Sequence, residues 1–282
     1  MKVFKTKKEL KTYFKEFRSK NSKIGFVATM GALHKGHLSL IDKSKEDNDI
    51  TVASIFVNPT QFDKKEDLEN YPKTLEIDLS LLKNGLCDVV FIPSVNEIYN
   101  KSITSDSFDF DGLEDEMEGE FRKGHFNGVG TIVKTFFEII TPTNAYFGEK
   151  DFQQLQVIRK MVEKNCMNVS VVGCPIYRES DGLAMSSRNS RLSLEERRAA
   201  SIIYQTLKDI NHKINSHLLD VLKKQVSDQF KNHPLFELEY FTIADEITLK
   251  SVSNISPNTP LRAFIAIQTN SVRLIDNISI NA

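Results

Sequence analysis

Between residues 23 and 177, apolar runs of strand length alternate with amphipathic runs of helical length, and this alternation limits the fold more than any other feature of the chain. KIGFVA (23–28), ITVASIFV (50–57), CDVVFIP (87–93), NAYFG (144–148) and VSVVGCPIY (169–177) are rich in Val, Ile and Phe, as expected of strands covered on both faces. HLSLIDKSKED, LEIDLSLLKNGL, GVGTIVKTFFEII and DFQQLQVIRKMVEKN separate them with helical spacing. Strands alternating with helices predict βαβ units, hence an α/β domain with a parallel sheet and helices on both its faces. The acidic, glycine-punctuated segment 106–120 is predicted to be an exposed loop or short helix.

Beyond residue 176 the pattern changes. The polar stretch RESDGLAMSSRNSRLS reads as a connection between domains; LEERRAASIIYQTLKDI and LLDVLKKQVSDQF read as helices, LEYFTIAD and RAFIAIQT as strands. This predicts two domains, 1–175 and a smaller C-terminal α+β domain over 176–282. The basic N-terminal stretch MKVFKTKKELKTYFKEFRSK is interrupted by Glu9 and Glu16 and has no apolar core of a signal peptide, so a surface helix and a cytoplasmic protein are expected. No run approaches the length of a membrane span.

Charge narrows the function. With 37 basic and 38 acidic residues the formal net charge is −1, so no overall field favours nucleic acid or an anionic membrane, and any phosphate site must be local. Cys87, Cys166 and Cys174 are widely spaced and odd in number; buried free thiols are expected, not a disulfide framework or a zinc knuckle.

The stretch FVATMGALHKGHLSL (26–40) places two of the six histidines, His34 and His37, in a glycine-containing turn between a strand and a helix. Such a turn lies at the carboxyl edge of the sheet, where open α/β folds bind ligands, and the helix N-terminus behind it favours an anion. The dinucleotide and P-loop glycine patterns are absent. Two imidazoles can donate to phosphoryl oxygens as a pentacoordinate phosphorus forms, and Gly36 would let the backbone approach the phosphates. A zinc pair, with a third ligand from His125 or a carboxylate, and a purely structural turn are the alternatives.

The stretch TMGALHKGHLSL resembles the signature of the pantothenate synthetases, or pantoate–β-alanine ligases, which carry an H-x-G-H motif on a Rossmann-like domain. SIFVNPTQF (54–62), FRKGHFNGVGTIV (121–133), FGEKDFQQLQVIRKM (147–161) and YRESDGLAMSSRN (177–189) are similar to the family's further signatures, in the family's order. Ala28 and Lys123 depart from the family pattern, where proline is usual, but both lie beside the polar positions.

The resemblance implies that ATP, Mg²⁺ travelling with its phosphates, pantoate and β-alanine are the small-molecule partners, and that the chain forms a homodimer. It implies a nucleotide site of Met30, Gly31, His34, Gly36, His37, Gly148, Glu149, Lys150, Asp151, Tyr177, Met185, Ser186, Ser187 and Arg188, with His34, His37 and Lys150 catalytic. No direct protein ligand of the metal follows from it. Gln61 and Gln154 are implied to bind pantoate. The residues themselves are compatible with this. Asn58 and Gln61 follow a strand end, where neutral amides suit a hydroxy acid or merely form an Asn-Pro turn. Asp151 suits a helix cap or a ribose hydroxyl. The hydroxyls and guanidinium of MSSRN suit phosphate oxygens, in a segment that either closes over a nucleotide or is a solvated linker. His125, with Arg122 beside it, is assigned to the substrate side. Two further readings stay open: a nucleotidylyltransferase acting on a phosphorylated acceptor, and a catalytically silent nucleotide sensor.

Overall fold

The computed structural model describes residues 1–62, 65–100, 102–256 and 258–280. It forms two compact units, the first Met1–Glu149 with Gln153–Pro175 and the second Lys150–Phe152 with Ile176–Ala282.

In the first unit, strands β1 (Lys2–Phe4), β2 (Ile24–Thr29), β3 (Ile50–Ile55), β4 (Val89–Phe91), β5 (Asn144–Gly148) and β6 (Ser170–Cys174) form one sheet in the order β1-β4-β3-β2-β5-β6. Each neighbouring pair is parallel. The helices are α1 (Lys7–Ser19), α2 (Lys35–Asp47), α3 (Lys65–Glu69), α4 (Leu75–Asn84), α5 (Val95–Tyr99), α6 (Glu118–Phe121), α7 (His125–Ile140) and α8 (Phe152–Lys164).

The central strand shows why the apolar runs lack polar alternation. Phe26 pairs with Val52 and Ala145, and Val27 with Ala53 and Tyr146. The Phe26 ring meets Phe136 and Phe137 of α7 edge-on at 5.7 and 6.3 Å. Val27, the next residue, points to the opposite face and joins Leu40, Ile41, Ala53 and Tyr146 in a separate core. Neither residue has exposed surface. A strand sandwiched this way must be apolar at every position.

Three expectations need correction. The N-terminal stretch is not all helix: Lys2–Phe4 pairs with β4, and α1 begins only after Thr6, whose hydroxyl accepts the Glu9 N–H at 3.3 Å. Segment 106–120 is acidic but anchored. Phe110 is fully buried, the Gln153 side chain donates to the Leu113 and Glu116 carbonyls and accepts from the Glu118 N–H, and Lys164 pairs with Asp109 and Asp111. Of the three free thiols, Cys166 is exposed. Burial pushes Cys87 and Cys174 up to about 11, so both are neutral near neutral pH.

In the second unit, β7 (Phe236–Asp245), β8 (Leu261–Thr269) and β9 (Arg273–Ile280) form an antiparallel sheet in the order β7-β8-β9. Helices α9 (Leu194–Ala199), α10 (Ile202–Lys213) and α11 (Leu219–Phe230) complete the α+β unit. Ile203, Leu207 and Ile210 of α10 and Leu222 and Val226 of α11 share one core with Ile243, Ala263, Ile265 and Ile267 of the sheet. Among the described residues no helix is long and apolar enough to cross a membrane.

Glu196 ties α9 to the turn before β9. Its carboxylate accepts the Ser193 N–H at 2.8 Å, and the Ser271 hydroxyl and N–H at 2.7 and 3.2 Å. Burial alone would raise its pKa, but the Ser193 N–H and the hydroxyls of Ser271, Thr269 and Ser193 outweigh this and hold it at about 2, against an ordinary 4.5. A depressed carboxyl pKa stabilises the fold fully above the unfolded value and loses that contribution as pH falls through the folded value. Acidification from pH 4.5 to 2 is therefore expected to remove up to about 3 kcal/mol from this group. Glu196→Gln should flatten that acid limb in urea midpoints measured against pH; an unchanged limb would show that other carboxylates set it.

Candidate active site

From β2 the chain builds outward through β3 and β4, then crosses to place β5 on the other side of β2. The carboxyl ends of β2 and β5 therefore flank the reversal of strand order, the position at which open parallel sheets bind ligands. Met30–His34 follows β2. Gly148 ends β5, and a Cβ built on it would meet no described atom within 4 Å.

His34 is the N-cap of α2, with φ −143°. Its backbone N–H donates to Nδ1 of His37 at 3.3 Å, and the two imidazole rings lie with centroids 4.0 Å apart. Because His37 Nδ1 accepts, the proton of the neutral ring is assigned to Nε2. In that tautomer Nε2 carries the ring's N–H donor. Lys35 and Gly36 open α2 at the same end, where a helix N-terminus favours an anion.

The histidine turn is held from a distance. Asp78 on α4 accepts the Ala32 N–H at 3.0 Å and the Leu33 N–H at 2.8 Å, and it is almost completely buried. Sequence reading passed over this residue. Its signal was an aspartate four residues before Leu82, on the apolar stripe of α4; both are buried.

The second and third signatures are clamped together. A Cβ on Gly128 of α7 would lie 2.1 Å from the Thr60 carbonyl oxygen, so only glycine permits this approach. Beside it, Nδ1 of His125 donates to the Gln61 carbonyl at 2.8 Å, and Arg122 contacts Nε2 of the same ring at 3.2 Å. Asn58 is fully buried: its Nδ2 donates to the Gly128 carbonyl at 3.1 Å, while its Oδ1 accepts from Thr60 and Tyr99 hydroxyls. The structure thus separates residues that looked equivalent. Asn58 and His125 spend their polar atoms on the loop, whereas the Gln61 carboxamide makes no hydrogen bond among the described residues. The same contrast holds on α8 between Gln153, wholly engaged with segment 113–118, and its half-buried neighbour Gln154.

The fifth signature, expected as a connecting segment, folds as a hairpin within the second unit. Arg178 bridges to Ala184, the Met185 N–H donates to the Tyr177 carbonyl at 2.9 Å, and Gly182, with φ +94°, closes the turn. Arg178 forms a two-pronged pair with Asp276 at 2.6 and 2.9 Å and stacks on the Tyr204 ring at 3.8 Å. Arg197 of α9 pairs with Glu179 and Asp181, and Asn189 donates to Glu179 and to the Ala184 carbonyl. The hairpin delivers the chain to a short 3₁₀ turn, Ser187–Arg191, capped by the Ser186 hydroxyl, which accepts the Arg188 N–H at 3.2 Å. In the same unit Lys150 lies 3.6 Å from Asp151, and its carbonyl accepts from Asn277 of β9 at 2.9 Å. Tyr177 is exposed.

Residues 2–279 match the family model described as pantoate-beta-alanine ligase. The chain belongs to that family. It is 52% identical to a pantothenate synthetase of Christiangramia forsetii, with all of both chains covered. Among solved structures it is similar to the pantothenate synthetase of Thermus thermophilus, with TM-score 0.92, 37% identity and full coverage of both chains. It is similar also to a pantoate-beta-alanine ligase from Francisella tularensis, solved with beta-gamma ATP and beta-alanine, with TM-score 0.82, 34% identity, and 99% and 97% of the chains covered. The parallel-sheet and α+β architecture is thus that of the family, and the fold expected from the sequence is the fold found.

Proposed function

We propose that this chain joins (R)-pantoate to β-alanine with ATP, giving pantothenate, AMP and diphosphate through an enzyme-bound pantoyl adenylate. The observation that carries the mechanism is the histidine pair at the carboxyl end of β2, where the His34 N–H fixes His37 as an Nε2 donor. An amine does not displace oxide from a free carboxylate. Attack of the pantoate carboxylate on the α-phosphorus expels diphosphate and turns that oxygen into part of AMP, a good leaving group. The neutral amine of β-alanine then attacks the activated carbonyl and AMP departs.

His34 and His37 stabilise the charge that grows on the α-phosphate oxygens in the first step. Lys150, Ser186, Ser187 and Arg188 bind phosphate oxygens. Met30, Gly31, Gly36, Gly148, Glu149, Asp151, Tyr177 and Met185 are assigned to the nucleotide. Mg²⁺ enters with the nucleotide as counter-ion to its phosphates. Among the described residues no three His, Cys, Asp or Glu side chains are grouped to hold an ion. A homodimer in the cytoplasm, with the second unit acting as a lid, belongs to this proposal.

Gln61 and Gln154 are the pantoate ligands, since their carboxamides make no hydrogen bond among the described residues, while Asn58 and His125 act through the Gln61 loop. Gln61→Ala and Gln154→Ala are expected to raise KM for pantoate roughly tenfold or more, as a hydrogen bond to a charged group contributes ~1.5–3 kcal/mol. ATP affinity by titration should not change. Loss of ATP affinity with pantoate use intact would reverse the assignment.

The order of chemistry is tested by leaving out β-alanine. Enzyme with ATP, Mg²⁺ and pantoate is expected to release diphosphate in a burst close to one equivalent per site, and the isolated complex should yield pantothenate on adding β-alanine without more ATP. A nucleotidylyltransferase would instead need a phosphorylated acceptor; the neutral Gln61 and Gln154 offer no cation to one. Absence of diphosphate and of any trapped adenylate until β-alanine is added would exclude the two-step route.

A further inference from the structure

We infer that Asp78 is a positioning residue for the adenylation step, its carboxylate setting the turn that carries His34 and His37. This rests on the role proposed above for those histidines. Each oxygen of the buried carboxylate accepts one of two consecutive backbone N–H groups, Oδ2 from Ala32 at 3.0 Å and Oδ1 from Leu33 at 2.8 Å, and the Thr74 hydroxyl lies 3.2 Å from both. The turn needs an external hold. Gly31 and Ala32 have φ of +83° and +49°, and a left-handed alanine costs roughly 1–2 kcal/mol.

The next residue is His34, whose N–H donates to His37 Nδ1. Moving Leu33 therefore moves the donor that keeps the His37 proton on Nε2. Released from that donor, the ring can carry its proton on Nδ1, leaving a lone pair instead of a donor at Nε2. An asparagine at 78 keeps the volume of aspartate but supplies one acceptor oxygen where two N–H groups converge, with its NH₂ facing a donor.

The test uses Asp78→Asn and Thr74→Val in the full chain, with unfolding midpoints measured for both. Asp78→Asn is expected to slow diphosphate release from ATP and pantoate by roughly tenfold to a hundredfold, the scale of a small misplacement of a reacting group. The second half-reaction, started from chemically prepared pantoyl adenylate and β-alanine, should keep its wild-type rate. Nitrogen NMR should find His37 as the Nε2–H form in the wild type and as a mixture of tautomers in the variant. Thr74→Val should show a smaller loss in the same step, and it decides the matter if Asp78→Asn does not fold. Wild-type diphosphate release by the folded variants, or an equal fall in both half-reactions, overturns the assignment. If His37→Ala itself releases diphosphate at the wild-type rate, the role of the histidines fails instead, and the His37 tautomer in Asp78→Asn still decides whether Asp78 sets that ring.

Discussion

Diphosphate release by His37→Ala, with ATP and pantoate supplied, is expected to fall by roughly 10²–10³, the usual loss when one preorganised donor to a developing anion is removed. The donor matters more in the transition state than in the ground state because charge on the phosphoryl oxygens grows as the pantoate oxygen approaches phosphorus. The fold should survive. His37 is only half-buried on the first turn of α2, outside the core formed by Leu40, Ile41 and the sheet. His37→Gln is the sharper probe: its terminal amide can place an N–H near the original Nε2, but it cannot keep the acceptor for His34. It should therefore recover part of the rate. Rapid-quench measurement of diphosphate, with thermal unfolding as the folding control, checks both variants. Near-native turnover by a folded alanine variant would remove His37 from the chemistry.

Asp276→Ala should destabilise the second unit by up to about 3–5 kcal/mol, the range found when one partner of a buried ion pair is deleted, less to the extent that Arg178 keeps 17% of its side-chain surface exposed. Asp276 is 3% exposed, and its two oxygens take both prongs of Arg178 at 2.6 and 2.9 Å. Without them the guanidinium keeps the Gly182 and Asn277 carbonyls and the Tyr204 ring, none of which neutralises its charge. The consequence extends to the proposed phosphate-binding segment because Arg178 is the strut of the hairpin that leads into Ser186–Arg188. Urea unfolding followed by circular dichroism gives the stability change. Paired replacement of Arg178 and Asp276 by apolar residues of similar volume should cost less than Asp276→Ala alone, since no half-buried charge is then left without its counter-charge. A single variant with wild-type stability would show that the pair does not hold the hairpin.

How much of this was legible beforehand varies from element to element. NAYFG was read as a strand to the residue, because a short apolar run ends at a glycine and a new helical period starts beyond it. β1 escaped because three residues carry no measurable period and sit in a basic stretch dominated by α1. β9, RLIDNISI, escaped because Asp276 and Asn277 break its apolar pattern, and their burial makes sense only once Arg178 and Arg262 are seen to pair with them. The histidine pair was visible from its spacing in a strand–turn–helix context. Its holder, Asp78, is more than forty residues downstream, and no local pattern joins the two.

The sequence by itself determined the class of fold and the kind of chemistry. Periodicity reports which face of an element is buried, and motif spacing reports which side chains share one turn; both are short-range properties. Only the tertiary structure decided which polar groups the scaffold takes up. Asn58 and Gln61 are both neutral amides after β3, and Gln153 and Gln154 are adjacent on one helix. In each pair one carboxamide is absorbed by partners distant in the chain, Tyr99 and Gly128 for Asn58, Leu113, Glu116 and Glu118 for Gln153. A buried polar group must be satisfied wherever its partner lies in the chain, so which of two like amides joins the scaffold is set by long-range packing.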